Sequence, residues 1–305
     1  MKTSFPITLS AFLITLLGAI MFSTKAIFVK LAFKLTPVDA LSLLTLRMLL
    51  SLPFYLVAAW LANRKGMASI TKKQFLYICA MGIMGYYISS LFDFLGLQYI
   101  SAGLERLILF LYPTFAVLIN LSVFKQKISK IQWQALALTY AGIMLAFASE
   151  LYITSGSSTV IWGSFLVFLC AVTYSIYIVG TGRLVQKVPV NLFTSYAMLA
   201  ATAGILIHFL VRGRYDVFDM GPIVWGFGLL LAIIATVIPS FLLNTGMKRI
   251  GSNNVAIILA IGPVATILQA YLFLGEKITA LQIAGTLLVI AGVVLIGWKR
   301  KVEVS

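Results

Sequence analysis

Charge is scarce in this sequence. Only 10% of its 305 residues are Asp, Glu, Lys or Arg; eight are acidic, and there is a single histidine. A soluble domain carries about a quarter charged residues, so no water-facing surface can be assembled from this chain. Cysteine is nearly missing too. Cys79 and Cys170 both sit inside apolar runs, where they read as small buried hydrophobes and imply no disulfide framework. One histidine and no clustered ligand spacing exclude a metal centre. No Gly-x-Ser-x-Gly elbow or Walker stretch occurs, so the chain is expected to be neither an enzyme nor an ATP-driven pump on its own, and no cofactor is implied. Nothing is polar or repetitive enough for a disordered or fibrous protein.

Apolar residues fill the space. They make up 61% of the chain, with a mean hydropathy of +1.05. A transmembrane helix takes about 20 residues, so the length accommodates about ten spans and little else. Ten apolar segments are legible: Leu9–Phe33, Ala40–Leu61, Phe75–Phe94, Ala102–Phe124, Ile131–Ala148, Val160–Gly182, Leu192–Val211, Ile223–Leu243, Asn254–Leu274 and Ala280–Trp298. Turn chemistry such as Asn63-Arg64-Lys65-Gly66, Ser155-Gly156-Ser157-Ser158 and Gly221-Pro222 separates several of them. The first run is too long for a signal-peptide core and lacks a small-residue cleavage site, so it is expected to stay as the first span. The predicted fold is an all-α polytopic membrane protein.

The net charge of +15 would suggest nucleic acid on a soluble protein. Here its placement decides, and no nucleic-acid partner is expected. With a cytoplasmic N-terminus, the inside segments hold Lys2, Arg64, Lys65, Lys72, Lys73, Lys125, Lys127, Lys130, Arg183, Lys187, Lys248, Arg249, Lys299, Arg300 and Lys301. The outside segments hold only Lys34, Arg212, Arg214 and Lys277. Basic residues favour cytoplasmic loops, so this asymmetry predicts an even number of spans, ten, with both termini in the cytoplasm; the expected location is the bacterial inner (plasma) membrane.

The chain also repeats itself. Shifted by 150 residues, Gly96 meets Gly246, Ile108-Leu109 meets Ile258-Leu259, Pro113 meets Pro263, Lys127-Ile128 meets Lys277-Ile278, Gln132 meets Gln282 and Ala141-Gly142 meets Ala291-Gly292. At a shift of 152, Ser23 meets Ser175 and Pro37 meets Pro189. Two five-span units follow, residues 1–150 and 151–305. Five is odd, so the second copy must be upside down. Inverted repeats of this kind build alternating-access transporters with a midplane site between the halves.

Charge inside a span costs about 2.5–3.5 kcal/mol on insertion scales and must be paired or face a cavity. Lys25, Lys30, Arg47, Asp93, Glu105 and Arg106 all belong to the first repeat. At a rise of about 1.5 Å per residue, Lys25 and Arg47 lie about 11–12 Å in from the outer ends of their spans. Asp93 and Glu105 lie in the same outer half. Two readings stay open: a structural ion-pair cluster, or a cationic site for an anionic group of a substrate. The excess of cations over acids favours the second slightly, and arginine suits a bidentate carboxylate. Lys30 has the option of snorkelling to the interface. His208, near the end of its span, reads as an interfacial tip.

Helical spacing suggests cavity walls. Tyr86, Ser90 and Asp93 share a face, as do Glu105, Leu109 and Tyr112, and also Thr236, Ser240 and Asn244, with Tyr174 and Tyr177 as aromatic walls. For any one of these, plain core packing is the competing reading. Pro53, Pro113, Pro239 and Pro263 are expected to interrupt spans. Tyr112-Pro113 and Gly262-Pro263 occupy equivalent repeat positions, so paired kinks are a candidate gate.

Several stretches are similar to the EamA type of the drug/metabolite transporter superfamily. They are Phe22-Ser23-Thr24-Lys25-Ala26 leading to Lys30, Leu46-Arg47-Met48 after Asp39, and Leu104-Glu105-Arg106-Leu107 leading to Tyr112-Pro113. In the second half they are Thr236-Val237-Ile238-Pro239-Ser240, Gly262-Pro263 and Leu274-Gly275-Glu276. Where many members carry Trp-Gly in the first span, this chain reads Met21-Phe22-Ser23, which looks like a sub-branch. The resemblance implies ten transmembrane helices in two inverted five-helix repeats. It also implies secondary-active export of a small-molecule substrate, an amino acid or small organic anion, through a central cavity. Partners would be that substrate and the lipid bilayer, with a homodimer allowed. A multidrug exporter of the same fold would prefer cations, against the excess of Lys and Arg. A channel or lipid scramblase is the alternative from another class. A scaffold or receptor would have no soluble domain to signal through.

Overall fold

The computed structural model describes residues 9–64, 70–124, 130–153, 158–184, 188–259 and 261–302. Eleven helices account for nearly all of them, and no strand occurs among them. They are α1 (Leu9–Leu35), α2 (Ala40–Arg64), α3 (Lys72–Leu97), α4 (Ala102–Leu109), α5 (Tyr112–Phe124), α6 (Lys130–Ile153), α7 (Ser158–Leu184), α8 (Val190–Arg212), α9 (222–259), α10 (Gly262–Leu274) and α11 (Ala280–Val302). Six are long and apolar enough to cross a membrane: α1 to α3, α7, α8 and the stretch Pro222–Leu243 of α9. Gly262–Leu274 and Ala280–Gly292 are shorter apolar helices. Their large hydrophobics point outward as often as inward; Leu76, Ile207, Leu210, Leu230, Leu268 and Leu287 are all exposed. A helix that is hydrophobic all round suits lipid rather than water.

Two departures from the expected spans have local causes. The fourth span is broken: α4 stops at Leu109, Phe110 and Leu111 form a turn, and α5 begins at Tyr112. A proline ring clashes with the carbonyl four residues back and supplies no N–H to it. Pro113 therefore ends the helix at Leu109 and stands second in α5, as Pro263 stands second in α10. The second departure is at residues 244–253, expected as a loop carrying Lys248 and Arg249. They lie instead in an unbroken helix, Ile238–Leu259. No proline interrupts this stretch. Gly246 is a place of close approach, where a Cβ would come within 2.3 Å of the Thr15 hydroxyl on α1. Residues 65–69, 125–129, 154–157 and 185–187, which carry several of the basic residues expected inside, lie outside the described residues.

The helices do not pack simply in chain order. α1 lies along Ile238–Leu259 of α9, α2 along α8, and α6 along α11. The α6–α11 contact brings backbones together. A Cβ on Gly142 would stand 2.4 Å from the Gly285 carbonyl oxygen, and a Cβ on Gly285 the same from that of Gly142. Small residues at crossings are how helices approach closely in lipid. The buried core runs through α1, α2, α3, α8 and α9, with Leu43, Leu44, Leu46, Phe94, Ala201 and Leu231 fully enclosed.

Two irregularities recur at one offset. α3 contains a π-helical turn at Ile83–Ile88, and α9 contains one at Ile233–Val237. The turn at Phe110-Leu111 after α4 is likewise matched 150 residues on by the end of α9 at Leu259 and Ile261 at the start of α10. Such π-turns leave carbonyls without their usual partners and cluster at functional positions.

Candidate functional site

All five of the site charges expected from the sequence are buried. Lys25 is 6% exposed, Arg47 and Arg106 3%, and Asp93 and Glu105 0%. α1 supplies Lys25, α2 Arg47, α3 Asp93, and the short α4 both Glu105 and Arg106. The Lys25 ammonium meets Asp93 at 2.7 Å and Glu105 at 3.9 Å. One cation thus serves two carboxylates.

The arginines are held differently. Arg47 Nε donates to the Thr236 hydroxyl at 2.7 Å. That hydroxyl, in the π-turn of α9, donates its own proton to the Leu231 carbonyl five residues back, just before the turn, at 2.7 Å. It is therefore left as an acceptor for the guanidinium. Arg47 also lies over the Phe94 ring, 5.6 Å from its centre. Arg106 reaches the Ser23 hydroxyl at 3.4 Å and sits between the rings of Phe22 and Phe110. Among the described residues, neither arginine forms an ion pair with a carboxylate, and the buried Arg47 Nη1 and Arg106 Nε have no hydrogen-bond partner. Buried donors without acceptors are costly.

An aromatic wall adjoins this cluster. The Tyr177 hydroxyl donates to that of Tyr86 at 2.9 Å with rings 5.0 Å apart, Tyr174 stacks beside Tyr177 at 5.7 Å, and Tyr112 meets Tyr174 edge-on at 5.3 Å. Tyr86 lies in the π-turn of α3 at the position equivalent to Thr236 in that of α9. Each of these two residues meets a polar group of the other half: Tyr86 meets Tyr177, and Thr236 meets Arg47.

Ser240 shares a hydrogen bond of 3.0 Å with Tyr55, a partner that helical spacing alone does not reveal. Ser90 is half-buried, while its neighbour Ser89 is buried against Cys170, with Oγ and Sγ 3.2 Å apart. Pro239 and Pro263 are buried. The side chains of Asn244 and Pro113 lie outside the described residues. Lys30 does not snorkel: its ammonium donates to the carbonyls of Leu97 and Ile100, at 3.1 and 3.0 Å, at the C-terminal end of α3. A cation there complements the helix dipole. His208 Nδ1 lies 2.9 Å from the Tyr87 hydroxyl.

A pair of serines completes the picture. Ser23 Oγ lies 3.4 Å from the Gly262 carbonyl, and Ser175 donates to the Tyr112 carbonyl at 2.9 Å. Ser23 and Ser175 are repeat equivalents, and so are Gly262 and Tyr112. Each serine reaches the carbonyl that precedes a proline in the other half. The pairing of Ser23 with Ser175 was visible in the sequence; its meaning was not.

Apolar spanning helices around a buried, charged centre define an integral membrane protein whose polar chemistry faces its own interior. The chain belongs to the EamA-like transporter family, whose pattern matches residues 9–148 and again residues 161–298, within the drug/metabolite transporter superfamily. An uncharacterized transporter of Bacillus subtilis, YcbK, is 31% identical over 281 residues, covering 88% of this chain and 87% of that protein. An uncharacterized transporter of Archaeoglobus fulgidus is 25% identical over 93% of this chain and 96% of its own length. A crystallographically determined protein shares the fold with a TM-score of 0.65 at 19% identity, over 94% of this chain and 95% of that one.

Proposed function

We propose that this protein is a secondary-active transporter that exports a small metabolite bearing an anionic group, an amino acid or a small organic acid, by alternating access. Its site lies between two inverted five-span halves, residues 1–150 and 151–305, at Lys25, Arg47 and Arg106. The observation that carries the reading is the pair of guanidiniums, 3% exposed, without a carboxylate partner and with buried N–H groups unfilled. A carboxylate entering between them would satisfy what the protein leaves open, and charge-assisted bidentate contact is arginine's strength. The reciprocal serine contacts support a two-fold relation between halves. With five spans in each, that axis lies in the membrane plane. The tyrosine wall of Tyr86, Tyr112, Tyr174 and Tyr177 would hold the apolar part of the substrate.

A second reading, an exporter of cations, draws on the same tyrosines together with Asp93 and Glu105, since aromatic faces attract cations. A counterflow screen in proteoliposomes separates the two. Saturable exchange of amino acids or organic acids is expected. Preferential exchange of organic cations selects the second reading, and flux that neither saturates nor shows counterflow selects a channel or scramblase. Cytoplasmic termini and an inner-membrane location go with this reading. A cysteine after Trp298 that an impermeant thiol reagent labels on intact cells would overturn that orientation.

A further inference from the structure

Glu276 has no role in the cluster described above, yet it makes a directed contact across the two halves. α10 ends in a π-helical turn, Ala270–Leu274, and Gly275 follows in the left-handed conformation, φ 70°. A side chain is strained there and glycine is not. The reversal sets the half-buried Glu276 against the start of α4. Its Oε1 accepts from the Ala102 N–H at 3.0 Å and its Oε2 lies 3.4 Å from that of Gly103. These are the first two amides of the helix, which have no partner inside it. The third, Leu104 N–H, donates to the Ser101 hydroxyl at 3.1 Å. A carboxylate from the second half thus completes the cap of a helix in the first, where the dipole favours an anion. The approach is close: a Cβ on Gly103 would come within 2.4 Å of Gln282 Nε2.

α4 is short and separated at both ends from its neighbours. It spans eight residues, Ala102–Leu109, between the turn at 98–101 and the turn at Phe110-Leu111. The turn before it is held from α1 by Lys30, on the carbonyls of Leu97 and Ile100. Two and three residues beyond Gly103, the same helix carries Glu105 and Arg106 into the charged centre. A short rigid piece between two turns, gripped at one end and bearing site charges in its middle, is built to move as a unit.

We infer that Glu276 is a gating latch: bound to the α4 N-terminus it holds the outer face closed and positions Glu105 and Arg106, and its release lets α4 swing and open the site outward. The inference rests on the transporter reading for its purpose, and its test does not need the substrate. The full chain, with Cys79 and Cys170 replaced, carries one reporter cysteine at Ala102, a position 0% exposed. An impermeant maleimide is applied from outside to intact cells and, separately, to inverted vesicles. Glu276→Ala should raise the outside labelling rate on the order of tenfold, the factor that about 1.4 kcal/mol of lost closure represents. Glu276→Gln, which keeps an acceptor oxygen but no charge, should fall between. A Gly103→Cys/Gln282→Cys disulfide should return the rate to the background value. A second reporter at Ala197, 0% exposed in α8, separates opening from unfolding. Equal acceleration at Ala197, equal acceleration from both faces, or none at Ala102 overturns the latch. If these arms behave as expected while no counterflow is found for any substrate class, the latch stands and the transporter reading fails.

Discussion

The two stretches that match the family pattern, residues 9–148 and 161–298, share several local features and differ in chemistry. Both contain a π-turn, at Ile83–Ile88 and Ile233–Val237, and both place an equivalent proline second in a helix, Pro113 and Pro263. Each also offers a serine to the other's carbonyl. Yet Lys25, Arg47, Asp93, Glu105 and Arg106 all belong to the first half, and their counterparts in the second are Tyr177, Leu199, Leu243, Val255 and Ala256. The second half answers with hydroxyls and carbonyls: Thr236 receives Arg47, and Gly262 lies against Ser23 and Arg106. A duplicated scaffold fixes where a polar group is needed in the membrane, and only one copy has to bring the charge.

Removing Lys25 should break this comparison most severely. Among the described residues it is the one cation paired with both buried acids, and stripping one partner from a buried pair costs about 3–5 kcal/mol. Lys25→Met should therefore lower the melting temperature of the purified protein sharply. Lys25→Met with Asp93→Asn should recover most of the loss, because Asp93 makes the closer contact. A double variant that melts no higher than Lys25→Met would show that the acids are balanced from elsewhere.

Arg47 sharpens the contrast, because its partner is a hydroxyl of the other half. Thr236 keeps its bond to Leu231 when the guanidinium is removed, so Arg47→Met should leave stability nearly unchanged. If the guanidinium binds a substrate carboxylate, a charge-assisted bond of about 1.5–3 kcal/mol predicts an apparent substrate constant raised roughly 10- to 150-fold. Counterflow with the exchanged metabolite measures it, and an unchanged constant would return Arg47 to a purely structural part.

The scaffold was more legible in sequence than the site. Apolar runs marked α1, α2, α3, α7 and α8 to within a few residues, since a span in lipid must be apolar throughout. The run 244–253 misled because glycine, asparagine and serine are shared by loops and by helices packed closely on a neighbour; Gly246 turned out to face Thr15. The site charges were legible because each is expensive where it sits. Pairing of Lys25 and Arg47 with Asp93 and Glu105 was expected of an ion-pair cluster, and Lys25 does meet both acids; Arg47 instead meets Thr236, which depends on α2 meeting α9 and is not legible in the chain. Glu276 was noticed only within a motif, for its contact joins residues 174 apart in the chain.

The prolines test whether the shared breaks serve motion. Pro113→Ala and Pro263→Ala each restore an N–H that can extend the helix across the break, in a place where proline itself opposes helix by about 3 kcal/mol. Turnover should fall several-fold in each, with the substrate constant changing by less than about twofold, since the substitution alters backbone hydrogen bonding and removes no charge. Full turnover in both variants would remove the gating role and leave the breaks as packing features.

The smallest effect is the most diagnostic of the two-fold relation. Each serine has one hydroxyl proton and shares it between the carbonyl of the other half and the one four residues back, Ala19 at 2.9 Å for Ser23 and Ala171 at 2.5 Å for Ser175. Replacing either by alanine removes one hydroxyl and leaves the carbonyls of Gly262 or Tyr112 without that donor. A typical buried hydrogen bond contributes about 0.5–1.5 kcal/mol, so Ser23→Ala and Ser175→Ala should lower stability by similar small amounts, read in parallel denaturation of the two variants. The symmetry should end there. Only Ser23 also receives Arg106, at 3.4 Å, so only Ser23→Ala should shift the substrate constant, by a few-fold, as the guanidinium loses its rest. Equal shifts in both variants would mean that the charge of the first half is felt alike across the centre. A stability loss confined to one serine would mean that the matched contacts are not equivalent, and would remove the strongest support for an axis relating the halves.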